Sequence, residues 1–230
     1  MRSIDNQAWE QELHWLTLTE DTWSVKKEML ELQQMIIDSN DPALAYFFAR
    51  DIKFEPHKMQ AIILASDNLL FTVLFAANIP NADIKALQAK VIKSNDLQKV
   101  VEFACFVPNS DYKALEKIVV KSGSAKHAAA LLKHSPRASV SNLQRIILAS
   151  RTPSHLLELA RRIRSKKTLR IIEDIIVASK SAKYCRLLAR IKGTSVKRLE
   201  QVVMESGNAK EIKALARTKT SQAAALSILF

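Results

Sequence analysis

The chain has 230 residues, a formal net charge of +12, 48% hydrophobic residues, only three glycines and six prolines, and two cysteines. Such a composition excludes a disordered chain, a turn-rich β protein and a disulfide scaffold. No stretch approaches the 18 consecutive apolar residues of a membrane span, and the opening MRSIDNQAWEQ lacks the charged-then-apolar order of a signal peptide, so a cytoplasmic protein is expected.

Residues 1–17 are expected to form an amphipathic helix that turns Trp9, Leu13 and Leu16 toward a neighbour. A longer helix follows from about Thr22 to Asp38, and residues 1–38 together read as an N-terminal cap. All three tryptophans, Trp9, Trp15 and Trp23, lie in this cap among acidic residues. The cap ends at Ser39, the first of seven serines (Ser39, Ser66, Ser94, Ser122, Ser150, Ser179, Ser206) that recur every 27–29 residues. A near-constant period of this length is the mark of a helical repeat.

Each serine closes a helix with an aliphatic residue seven positions upstream and an aliphatic pair just before the serine, as in Leu143 and Ile147-Leu148. Two positions downstream stand Asp41, Asn68, Asp96, Ser124, Thr152, Ser181 and Asn208, all good N-cap residues, and a second helix starts there. Its core carries a large residue beside a small one, from Phe48-Ala49 to Leu215-Ala216, which would let neighbouring helices approach. Further caps at Glu55, Asp83, Asp111, Ser139, Thr168 and Ser195 open the next helix. Gly123 and Gly207, each directly after an anchor serine, are expected in the left-handed conformation of a helix terminus. The pattern predicts an all-α, right-handed α-solenoid of about seven short two-helix repeats in one domain, closed by a capping helix over residues 220–230.

Charge divides the repeats. Residues 1–116 hold 11 Lys/Arg against 17 Asp/Glu, whereas residues 117–219 hold 24 against 6. The acidic repeats over 39–116 are rich in aromatics, and Phe47, Leu70 and Leu74 lie off the core column, where the N-terminal helix or a protein partner would cover them. In the basic repeats, Lys133, Arg161, Arg190 and Arg217 stand eleven positions after successive serines, and Lys126, Lys183 and Lys210 stand four positions after. Those offsets place both sets on one helical face, as a stripe of cations that a sugar-phosphate backbone could follow. Arg162, Arg164, Lys166, Lys167 and Arg170 crowd the turn of the longest repeat, where the extra residue would let side chains splay toward a ligand.

No glycine loop for phosphates, no His-Glu-x-x-His and no Cys-x-x-Cys is present, so neither an enzyme nor a metal or other cofactor is expected. Gln33, Gln60, Gln88, Glu116, Gln144, Glu173 and Glu200 share one repeated position, read as a hydrogen bond between repeats rather than a general base. Cys185 occupies an otherwise apolar column and reads as a packing residue.

The alternating short helices resemble HEAT- and armadillo-type α-solenoids over about residues 30–217. Phrases such as Tyr46-Phe47-Phe48-Ala49-Arg50-Asp51-Ile52 and Leu143-Gln144-Arg145-Ile146-Ile147-Leu148-Ala149-Ser150 resemble helical repeats of large phages and giant viruses. The first resemblance implies an extended binding surface. HEAT-like DNA glycosylases supply an enzyme alternative that needs tryptophans and an aspartate at the DNA face. Here the tryptophans sit in the acidic end, and Asp174 is the only aspartate in residues 117–219. The functional expectation is therefore a phosphate-contacting binder of RNA or duplex DNA, with an adaptor that docks an acidic protein as the alternative.

Overall fold

A computed structural model describes residues 22–217, all helical or connecting. The expected helices over 1–17 and 220–230 lie outside the described residues. The helices are α1 (Thr22–Ser39), α2 (Pro42–Asp51), α3 (Pro56–Ala65), α4 (Leu69–Asn78), α5 (Ile84–Lys93), α6 (Leu97–Phe106), α7 (Tyr112–Ser122), α8 (Ala125–His134), α9 (Val140–Ser150), α10 (Pro153–Arg162), α11 (Lys166–Ala178), α12 (Ala182–Leu188) and α13 (Val196–Glu205). A further helix, α14, occupies 209–217. The chain divides into two compact units, Met1–Asp111 and Tyr112–Phe230.

Within each unit a helix packs on its neighbour in sequence and on the next but one. In the first unit α2 contacts α3 and α4, and α4 contacts α5 and α6. In the second, α8 contacts α9 and α10, α10 contacts α11 and α12, α7 contacts α9, and α11 contacts α13. Within each unit, even-numbered helices thus form one row and odd-numbered helices the other, the packing of a helical repeat.

The two expected hydrophobic columns fill the space between the rows. Met59, Leu87, Leu115, Leu143, Ile172 and Leu199 are fully buried, as are Ile63, Val91, Val119, Ile147, Ile176 and Val203. From the even row come Phe75, Phe103, Leu131, Leu159 and Leu188. Burial of one such side chain contributes about 1.5–3 kcal/mol, so the repeat period is set by the core.

The anchor serines are joints. Every one donates its hydroxyl to the carbonyl three residues back, from Ser39 to Ile36 (2.8 Å) through Ser206 to Val203 (2.6 Å). In five repeats the same oxygen accepts the backbone N–H two residues on, as Thr152 N–H to Ser150 Oγ (3.3 Å). One side chain therefore satisfies the end of one helix and the entry to the next. At every joint but the one at Asp67 the residue between turns left-handed. Gly123 (φ 67°) and Gly207 (φ 66°) do so at no steric cost, and Asn40, Asn95, Arg151 and Lys180 take the same conformation.

The Gln/Glu column links repeats. Gln60 Oε1 accepts from Asp83 N–H (2.8 Å), Gln88 Oε1 from Asp111 N–H (2.8 Å), Glu116 Oε2 from Ser139 N–H (2.9 Å) and Glu173 Oε1 from Ser195 N–H (2.7 Å). Each buried side chain caps the helix of the next repeat, 22 or 23 residues on, in place of an aqueous partner.

Two local expectations are corrected. α11 begins at Lys166 rather than at Thr168, with Ser165 as its N-cap accepting from Thr168 N–H (3.3 Å). Three other repeats carry Pro80, Pro108 or Pro136 fourteen positions before the anchor, where each opens a turn closed by Ala82, Ser110 or Ala138 N–H. Ser165 stands at that position and offers a cap oxygen instead. The extra residue of the longest repeat thus enters a helix, not a splayed turn. Conversely, α12 ends at Leu188, because Thr194 Oγ1 donates to the Ile191 carbonyl (2.9 Å) and Gly193 turns left-handed (φ 94°), folding the chain back early.

Candidate functional site

The unit boundary nearly coincides with the charge boundary. Residues 1–111 hold 10 Lys/Arg against 16 Asp/Glu, whereas residues 112–230 hold 25 against 7, a balance of +18. Self-repulsion of this size opposes compaction, so its concentration in one unit calls for a location of each charge.

The even row carries the stripe. Lys126 and Lys133 are on α8, Arg161 on α10, Lys183 on α12, and Lys210 and Arg217 on α14; all are exposed. On α8 the buried residues are Ala128, Ala129, Leu131 and Leu132. Lys126 and Lys133 each stand two residues from one of these, about 200° around the helix at 100° per residue. Both side chains therefore leave the core beside Ala129, on the side away from Ala128 and Leu131.

Arg161 donates to Glu158 (2.8 Å), an exposed pair three residues apart. Lys183 lies 5.6 Å from the centre of the Tyr184 ring. Lys126, Lys133, Lys210 and Arg217 have no ion-pair partner among the described residues. Arg190 is exposed but, because α12 ends early, sits in the turn beyond it.

The second cluster is not one cluster. Arg162 is half-buried, and its guanidinium donates to the carbonyls of Leu132 (3.0 Å), Ser135 (3.2 Å) and Pro136 (3.2 Å). It closes the C-terminal end of α8, where a cation also meets the negative end of the helix dipole. Arg164 is exposed in the connection, and Lys166, Lys167 and Arg170 belong to α11 in the odd row. Lys166, Lys167, Arg170, Ile171 and Asp174 line a shallow groove of about 420 Å³. Asp174 is held by Arg198 of α13 at 2.6 Å, so the aspartate nearest this cluster is part of an ion pair.

Four further cations of the odd row were not singled out from the sequence. Lys113, Lys117 and Lys121 on α7 and Arg145 on α9 are exposed, and the spacing of four on α7 was the available signal. Nor was Arg186, which forms a largely buried pair with Glu211 (2.6 Å) and ties α12 to α14. In the first unit Phe47 and Leu70 are exposed and Leu74 is half-buried, with the Arg50 guanidinium 4.8 Å over the Phe47 ring.

Comparison with protein-family models, curated proteins and solved structures finds no match to this chain. The chemistry must be read from the residues themselves. Among the described residues no three His, Cys, Asp or Glu side chains are placed to hold a metal ion. No helix among them is long and apolar enough to cross a membrane. Cys185 is fully buried, and burial pushes its thiol up, away from a reactive thiolate. What the second unit offers in quantity is exposed, fixed positive charge.

Proposed function

We propose that the chain is a cytoplasmic, right-handed helical-repeat protein of about seven repeats, whose second unit binds double-stranded nucleic acid, RNA or DNA, through phosphates. The observation that carries this reading is the even-row stripe: six exposed cations on four helices, facing away from the core, with a single acidic partner among the described residues, Glu158. Successive helices in a row pack roughly 8–10 Å apart, so the stripe supplies charge at intervals along a line. Lys/Arg contacts of this type fix a backbone without reading sequence. Binding of single strands by serial stacking has less support, because Tyr184 is the only aromatic in residues 117–219 and already carries Lys183 over its ring.

Titration of the full chain against a labelled RNA hairpin, duplex DNA and a single strand at several salt concentrations tests the proposal. Submicromolar duplex binding with a log-log salt slope of about −4 to −6 is expected, equivalent to roughly five or six phosphates. The combined Lys133→Glu, Lys183→Glu and Lys210→Glu variant should keep its helicity and lose about three units of that slope. Absence of binding near physiological salt overturns the reading and points instead to an acidic protein partner.

A further inference from the structure

The even-row stripe covers one side of the second unit, yet the other side is also cationic. α7 presents Lys113, Lys117 and Lys121 at intervals of four residues, α9 presents Arg145, and α11 and α13 add Arg170 and Lys197; all six are exposed. Each stands two residues from a buried core side chain of its own helix: Lys113 and Lys117 from Leu115, Lys121 from Val119, Arg145 from Leu143 and Ile147, Arg170 from Ile172, Lys197 from Leu199. Two residues are about 200° of helix, so Lys117, Lys121, Arg145 and Lys197 leave the core on its far side, from the opposite row, while Lys113 and Arg170, next to buried Tyr112 and Leu169, leave it on the flank.

None of the six forms an ion pair among the described residues, whereas Arg198 beside them does. Three lysines at i, i+4 and i+8 repel one another along α7, where a merely solvated helix gains from alternating signs. That arrangement lowers helix stability, offset only at Lys121, which stands in the last turn against the negative end of the helix dipole.

Two helical layers of diameter about 10–12 Å make the unit about 20 Å thick. A straight duplex on one face leaves the other face uncovered. We infer that the second unit has two independent phosphate-binding faces and holds two duplex segments at once, one against each row. This inference rests on the nucleic-acid reading above and extends it from binding to bridging.

The test mixes the full-length protein with two short duplexes, one labelled with a fluorescence donor and one with an acceptor. Sedimentation reports the stoichiometry. Energy transfer within a complex of one protein and two duplexes is expected. The Lys117→Glu, Lys121→Glu, Arg145→Glu variant should abolish transfer while its affinity for a first duplex stays within about twofold, because distant sites act additively. A wild-type complex that saturates at one duplex overturns bridging alone, as does transfer that persists in the variant or that requires two protein copies. Failure of any duplex to bind overturns bridging together with the reading on which it rests.

Discussion

Arg162 illustrates how residue type and residue role separate. In the sequence it is one of six cations in ten residues, indistinguishable from Arg161 or Arg164. In the folded chain its guanidinium reaches three carbonyls at and just beyond the end of α8, 26 to 30 residues earlier. Replacing Arg162 with Met should therefore cost about 1–3 kcal/mol of stability, chiefly the penalty for the part-buried Leu132 carbonyl left without a donor, since Ser135 keeps the Ala138 N–H. Urea unfolding measures that loss, and the salt slope for duplex binding should not change. Unchanged stability with a shallower slope would return Arg162 to the interface. The same distinction applies to Glu173, an acid set among cations, and to Glu116 at the charge boundary. Both are buried caps on the following repeat.

At the scale of the element, α11 shows what a turn residue decides. Its longer N-terminal turn exists because Ser165 stands where other repeats have proline, and because its hydroxyl accepts the Thr168 N–H. Ser165→Ala should destabilise the protein by about 1 kcal/mol, and Ser165→Asp, another good cap, by much less. Amide exchange at Thr168 checks it: faster exchange is expected in the alanine variant only. Equal protection in both variants would show that packing of Leu169 and Ile172, rather than the cap, holds that turn. The cap matters to the charged surface, since it makes Lys166 and Lys167 helical and so fixes where they project.

For the whole molecule, the uneven charge is the dominant fact. With +18 on the second unit and few ion pairs to offset it, self-repulsion lowers stability most at low ionic strength, where the Debye length is about 30 Å at 0.01 M. The melting temperature should rise as salt is raised from about 0.01 M to about 0.15 M, where the Debye length falls to about 8 Å. A fall over that range would mean that attractive pairs, such as Arg186 with Glu211, outweigh the repulsion. A polyanion that fits the cationic faces should raise the melting temperature further, by mass action on the folded state.

The period of the seven serines, the two apolar columns and the N-cap residues were enough to place nearly every helix end. These features are local: helix periodicity, capping and left-handed turns act over a few residues and need no knowledge of the neighbour. The charge split between the two units and the stripe at offsets four and eleven were legible for the same reason. Tertiary structure alone decided the rest. It gave Gln60, Gln88, Glu116 and Glu173 their partners 22 or 23 residues away, engaged Arg162 in a cap, and moved Lys166, Lys167 and Arg170 from a presumed turn to a helix of the opposite row. Hydrogen-bond partners and the side of a layer depend on which helices stack, and stacking is a property of the packed core rather than of any one segment.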